Sequence, residues 1–120
     1  MIGVAMKKLL LIGALLVLSS QAYAYEVKKV CGSYQSGFQW TRSQAMTIQI
    51  YSGMELSRGA YNPNIKSYVN YAFINWSNAP TTVVEITSPY VLGGMMFQTE
   101  GNDQNGRKWR FSDNTTNYCI

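Results

Sequence analysis

Any chemistry in this chain has to proceed without histidine, because none of its 120 residues is one. Ser-His-Asp and Cys-His triads, the usual proton shuttle near neutral pH and every zinc site with a histidine ligand are excluded on that ground. Acid–base work would fall to the six carboxylates, Glu26, Glu55, Glu85, Glu100, Asp103 and Asp113. None of them stands in a recognisable catalytic motif, and the glycines form neither a phosphate-binding loop nor a dinucleotide fingerprint. The residue types argue against an enzyme and call for no cofactor and no metal.

Binding suits these residues better. Sugars present apolar C–H faces and hydroxyl edges, so a shallow sugar site combines an aromatic platform with Ser, Asn, Gln or Arg partners. The chain holds nine Tyr and three Trp beside few charges, 13% in all. Two stretches collect the right atoms. One runs from Tyr34 to Arg42 and offers Tyr34, Ser36, Gln39, Trp40 and Arg42; the other is the tail from Asp113 to Tyr118. Arg42 can pair with the carboxylate of a sialic acid. The structural alternative makes Trp40 and Phe38 core residues and the Ser and Asn ordinary β-loop composition.

The elements that must position these residues follow an apolar N-terminal segment. Lys7 and Lys8, the run Leu9 to Leu18 and Ala22-Tyr23-Ala24 have the charge, apolar stretch and small-x-small site of a cleaved secretory signal over residues 1–24. The apolar run is too short for a membrane span, which needs about 20 residues. Residues 25–120 then form one secreted or periplasmic domain. Two of the ten basic residues belong to the leader, so the net charge of +4 falls to +2. With no long basic run left, nucleic acid is not an expected partner.

Cys31 and Cys119 are the two cysteines, and behind an export signal they read as one disulfide. Two free thiols or a metal pair are the alternatives, but two sulfurs without other soft ligands make a poor site. The bridge would close nearly the whole domain into a loop and contribute roughly 4 kcal/mol by constraining the unfolded chain. It also requires the first and last ordered elements to be neighbours.

Alternation and β-branching predict strands at Val27 to Ser33, Phe38 to Trp40, Met46 to Tyr51 and Thr81 to Thr87. Ser52-Gly53 reads as a turn or bulge before Met54 to Leu56 resumes the strand. Val91 to Thr99 is a further strand broken by Gly93-Gly94, Asn102 to Gly106 is a turn, and Arg107 to Ser112 alternates with Trp109 and Phe111 on one face. Asn62 to Asn78 differs. Asn62 suits an N-cap and Pro63 a first helical position, and Ile65, Tyr68, Val69, Ala72, Phe73 and Trp76 recur at three-and-four spacing. An amphipathic helix of about four turns is expected there. A strand over residues 68 to 74 is the competing possibility, given their β preference.

The order of strands, one helix, then strands gives a mainly β fold with one α-helix. In that order the chain resembles the B subunits of AB5 bacterial toxins, in the helix 62–78 that runs into the β-branched strand Thr81 to Thr87 above all. The resemblance implies a small OB-fold-like barrel, closed here by one disulfide, assembled into a homopentameric ring. It further implies binding to sialylated cell-surface glycans and delivery of an enzymatic A subunit. Tyr34-Gln35-Ser36-Gly37 is similar to the Ser-Gly stretch that contributes to sialoglycan binding in the pertussis- and subtilase-type subunits, which nominates Ser36. A ring gains from multivalency at a membrane, and open sheet edges would pair between neighbours.

A periplasmic inhibitor or immunity protein that blocks a toxin or lysozyme is the alternative from another class, with Gly101 to Gly106, Glu100 and Asp103 as its inserted loop. An adhesin or surface-assembly component is a third. Asn75-Trp76-Ser77 and Asn114-Thr115-Thr116 match glycosylation sequons, and Met95-Met96 reads as adaptable core packing.

Overall fold

Alternating apolar residues build seven strands, and six of them close on one another. The computed structural model describes residues 25–59, 64–116, 118 and 119. Its elements are β1 (Tyr25–Ser36), β2 (Gln39–Trp40), β3 (Gln44–Ser52), α1 (Gly53–Gly59), β4 (Asn70–Ile74), β5 (Thr82–Ile86), β6 (Thr99–Asp103) and β7 (Lys108–Asp113). The expected leader, residues 1–24, lies outside the described residues.

β1 is long enough to serve two neighbours. Tyr25 to Gly32 pair antiparallel with β3, and Val30 to Tyr34 pair with β7. β3, β4, β5, β6 and β7 then pair in sequence, all antiparallel, so the sheet returns to its first strand as a closed barrel. The order is that of an up-and-down barrel; an OB-fold is a five-stranded Greek-key barrel, so the likeness is one of size and closure. β2 extends β1 as a hairpin arm outside the barrel.

Period two puts one face of each strand inside. Val30, Ile48, Ile50, Ala72, Val84 and Phe111 are buried there without exposed surface, and Ile74, Ile86, Met96 and Trp109 complete the core. Trp109 and Phe111 share that face, as their alternation predicts. Gly32 and Gly101 make room: a Cβ on Gly32 would crowd Met46 and Phe111, and one on Gly101 would meet Val84 and the Glu85 carbonyl. Cys31 and Cys119 form the expected disulfide, which ties β1 to the C-terminal tail.

The helix expected over 62–78 is a correction. Residues 62 and 63 lie outside the described residues, residues 64–69 form turns, and Asn70 to Ile74 form β4. Ala72 and Ile74 point to the core while Phe73 packs outside against Tyr51, so the same apolar residues satisfy period two. Local spacing cannot separate the periods here. Pairing decides, because β3 and β5 would each lack a neighbour without this strand.

The helix stands instead at Gly53–Gly59, where a strand was expected to resume. Ser52 Oγ accepts from the Glu55 amide at 3.1 Å, the N-cap bond of a Ser-x-x-Glu capping box. Glu55 in the first turn and Arg58 in the last complement the helix dipole. Gly53 is required by close approach, since a Cβ would overlap the Lys66 carbonyl. Val91 to Thr99 is likewise not a strand: apart from Thr99 it belongs to the β5–β6 connection, with Gly93 and Gln98 at positive φ. The expected turn shrinks as well, because Asn102 and Asp103 finish β6.

Candidate functional site

The two ends of the barrel differ. At one end the β5–β6 connection folds across and is bonded to side chains that project from the interior. Lys28 Nζ lies 2.9 Å from Asp113 Oδ1 and 3.9 Å from Glu26 Oε2, and donates to the Gly94 carbonyl at 3.0 Å. Tyr90 donates its hydroxyl to Glu26 Oε1 at 2.6 Å, the Gly93 amide donates to the same oxygen, and the Met96 amide donates to Asp113 Oδ2. Burial, helped by the Glu26 carboxylate, pushes the Tyr90 phenol well above its ordinary value, so it remains a donor. These bonds plug the end. They also hold Val91, Met95 and Phe97 outward, each more than three-quarters exposed.

The other end is open. A cleft of about 540 Å³ sits there, lined by Tyr34, Thr41, Arg42, Trp76, Arg107 and Trp109 among others. The aromatic side chains and Arg107 each have a definite support. Tyr34 ends the part of β1 that pairs with β7, opposite Trp109, and their rings lie 5.1 Å apart at 47°. Trp109 also stacks on Phe111 below and donates its indole N–H to Asp103 Oδ2 at 2.9 Å. Trp76 donates to Thr82 Oγ1 at 2.8 Å. Both indole N–H groups are thereby satisfied; the partly buried Trp76 ring is left as an apolar wall, and the buried Trp109 ring forms the floor where the core meets the cleft. The Arg107 guanidinium lies 4.4 Å from the centroid of the Tyr34 ring, a cation–π contact that holds it at the rim.

Of the residues nominated from sequence, Tyr34 and Arg42 line this cleft. Trp40 is half-buried on the arm, with the Arg110 guanidinium 3.8 Å from its ring centroid. Ser36 and Gln39 pair with each other across the exposed tip of the arm, outside the cleft, beside a fully exposed Phe38. The nominated tail lies elsewhere: Asp113 belongs to the plugged end, and Tyr118 borders a second groove.

Trp76, Arg107 and Trp109 were missed as binding residues. Trp76 was assigned to a helix face, and the alternation that places Trp109 inside says nothing about its reaching the mouth. The Gly101 to Gly106 turn is internally bonded, since Asp103 accepts from the Asn105 and Arg107 amides as well as from Trp109.

At the open end Arg42 and Arg107 stand beside one carboxylate, Asp103, whose oxygens accept from the Trp109 indole and from backbone amides. Among the described residues, ion pairs join Lys28 to Glu26 and Asp113 and Lys66 to Glu85, and none involves Arg42, Arg107 or Arg110. Arg110 stands opposite Glu100 in the β6–β7 register without pairing to it. No group of three His, Cys, Asp or Glu side chains among the described residues is placed to hold a metal ion. Aromatic walls and arginines that make no ion pair among the described residues can accept an anionic group that carries an apolar face. Comparison of the chain with protein-family models, with curated proteins and with solved structures gives no match.

Proposed function

We propose that this chain is a non-enzymatic glycan-binding protein whose barrel mouth takes the carboxylated end of a cell-surface saccharide. The observation that supports this best is that the partly buried rings of Tyr34 and Trp76 line one cleft with two arginines, Arg42 and Arg107, that have no carboxylate partner among the described residues. The partly buried rings of Tyr34 and Trp76 offer the apolar face that a sugar's C–H groups pack on, with Trp109 packed against Tyr34 from the core, and a guanidinium offers a two-pronged partner to a carboxylate.

In the wider role implied by the B-subunit resemblance, copies assemble into a secreted ring, a pentamer, that delivers an enzymatic A subunit. Weak sites on one ring face then act together. Because β1 and β7 pair within the chain, such a ring rests on side-chain contacts; the exposed Val91, Met95 and Phe97 supply an apolar surface of the kind these contacts bury. The inhibitor reading has less to rest on, because Asp103 in its inserted loop is bonded internally.

A glycan array probed with the exported protein, with its native mass measured alongside, tests the proposal. Acidic glycans retained by the wild type and lost in Arg107→Gln, together with a fivefold mass, are the expected result. No bound glycan and a monomeric mass overturn it.

A further inference from the structure

A second groove, of about 750 Å³, runs along the outer wall of the barrel. Arg42 and Thr41 line both this groove and the mouth, so the two adjoin at that segment. Its bed crosses the β1–β7 seam, with Ser33 on β1 and Ser112 and Arg110 on β7. Phe97 and Tyr118, each 78% exposed, stand at its margin. Tyr118 belongs to the tail that the Cys31–Cys119 bridge ties to the wall, and Cys31 itself lines the groove. The composition repeats that of the mouth: aromatic rings, hydroxyls and a guanidinium without an ion-pair partner among the described residues.

We infer that the mouth and the groove form one extended track, and that its ligand is an acidic oligosaccharide of several units. The inference rests on the glycan reading of the mouth and goes beyond it in ligand class. One acidic unit occupies the mouth at Arg107, the chain passes Arg42, and a later acidic unit reaches Arg110 between the rings of Phe97 and Tyr118. The disulfide therefore has a part in recognition as well as in stability, because it positions the Tyr118 wall. A short saccharide engages only the mouth. A longer one gains the groove's contacts without a second loss of translational freedom, so its affinity rises more steeply than the number of binding registers alone provides.

Titration calorimetry with α2,8-linked N-acetylneuraminic acid oligomers of one to four units, and with maltotetraose as the neutral control, tests this on the oxidised protein. Affinity is expected to rise at least about tenfold from one unit to three, where extra registers account for about threefold. Arg110→Gln and, separately, Tyr118→Ala are expected to cut the trimer's gain over the monosaccharide to the about threefold that extra registers provide, and to leave the monosaccharide unchanged. Arg107→Gln is expected to weaken both. Tyr118→Ala touches no core residue, so it reports on the groove even if Arg110→Gln disturbs Trp40. Monosaccharide binding with no gain in length, or a gain that survives both groove variants, overturns the track and leaves the mouth intact. Absence of binding by every acidic oligomer overturns the mouth reading and the track together.

Discussion

Lys28 and Asp113 meet as a 2.9 Å ion pair between the first and last strands of the barrel, and Asp113 Oδ1 has no hydrogen-bond partner besides it among the described residues. The side chains are 13% and 24% exposed, so the pair is largely but not fully removed from water. It fastens both the β1–β7 seam and, through Gly94 and Met96, the connection that plugs the barrel. Lys28→Met leaves Asp113 without its counter-charge and is expected to destabilise the fold by about 2 kcal/mol, below the range for a fully buried pair. Urea unfolding measures the loss, and limited proteolysis should show faster cleavage between Val91 and Phe97. The double variant Lys28→Met with Asp113→Leu is expected to recover part of the stability, because no buried charge is then unpaired.

The same plug predicts an alkaline limit. Burial and the Glu26 carboxylate raise Tyr90 above its ordinary value of 10.0, so the folded state holds the phenol proton more tightly than the unfolded chain does. Below about pH 10 both states are protonated and the stabilisation is complete. Above it the unfolded chain releases the proton first, and stability falls until the folded phenol titrates. Tyr90→Phe should have a lower Tm at neutral pH, through loss of the bond to Glu26, but a shallower decline of Tm above about pH 10. The slope that remains reports in part on Tyr51, which burial also raises.

Two interior glycines should differ in tolerance. A Cβ at Gly101 would stand 2.5 Å from the Glu85 carbonyl oxygen and 2.6 Å from Val84 Cγ1, in the middle of a paired strand that cannot shift alone. A Cβ at Gly32 would meet the Met46 sulfur at 2.9 Å, the flexible end of a half-buried side chain. Gly101→Ala is expected to cost about 3 kcal/mol and Gly32→Ala about 1 kcal/mol. Denaturant midpoints of the two variants, compared side by side, give the order.

The Cys31–Cys119 bridge spans 88 residues of chain. Cys31→Ser with Cys119→Ser is expected to lower stability by about 4 kcal/mol on the chain-entropy estimate, and to do so mainly by raising the entropy of the unfolded chain. Unfolding of the wild type with and without reductant should show the same difference. A reduced protein as stable as the oxidised one would contradict it.

The strands that formed where alternation predicts them were those with one clear period. Thr82 to Ile86 and Lys108 to Asp113 carry β-branched or aromatic residues at every second position, and local composition sufficed. Helix Gly53–Gly59 was also legible, in the Ser52-x-x-Glu55 capping box, but the apolar Met54 and Leu56 concealed it as strand continuation. Residues 70 to 74 were not legible in the same way, because Tyr71, Ala72, Phe73 and Ile74 fit either period.

By itself, the sequence determined the absence of histidine chemistry, the mainly β class, strands such as Thr82–Ile86 and Lys108–Asp113, and the pairing of Cys31 with Cys119. These depend on residue type or on near neighbours along the chain. Tertiary structure alone decided that β1 pairs with β7, that residues 70 to 74 are a strand and that Trp76, Arg107 and Trp109 join Tyr34 and Arg42 at one mouth. The physical reason is closure. When the last strand returns to the first, Trp109 is set beside Tyr34, and no local period records which residues will share an end of the barrel.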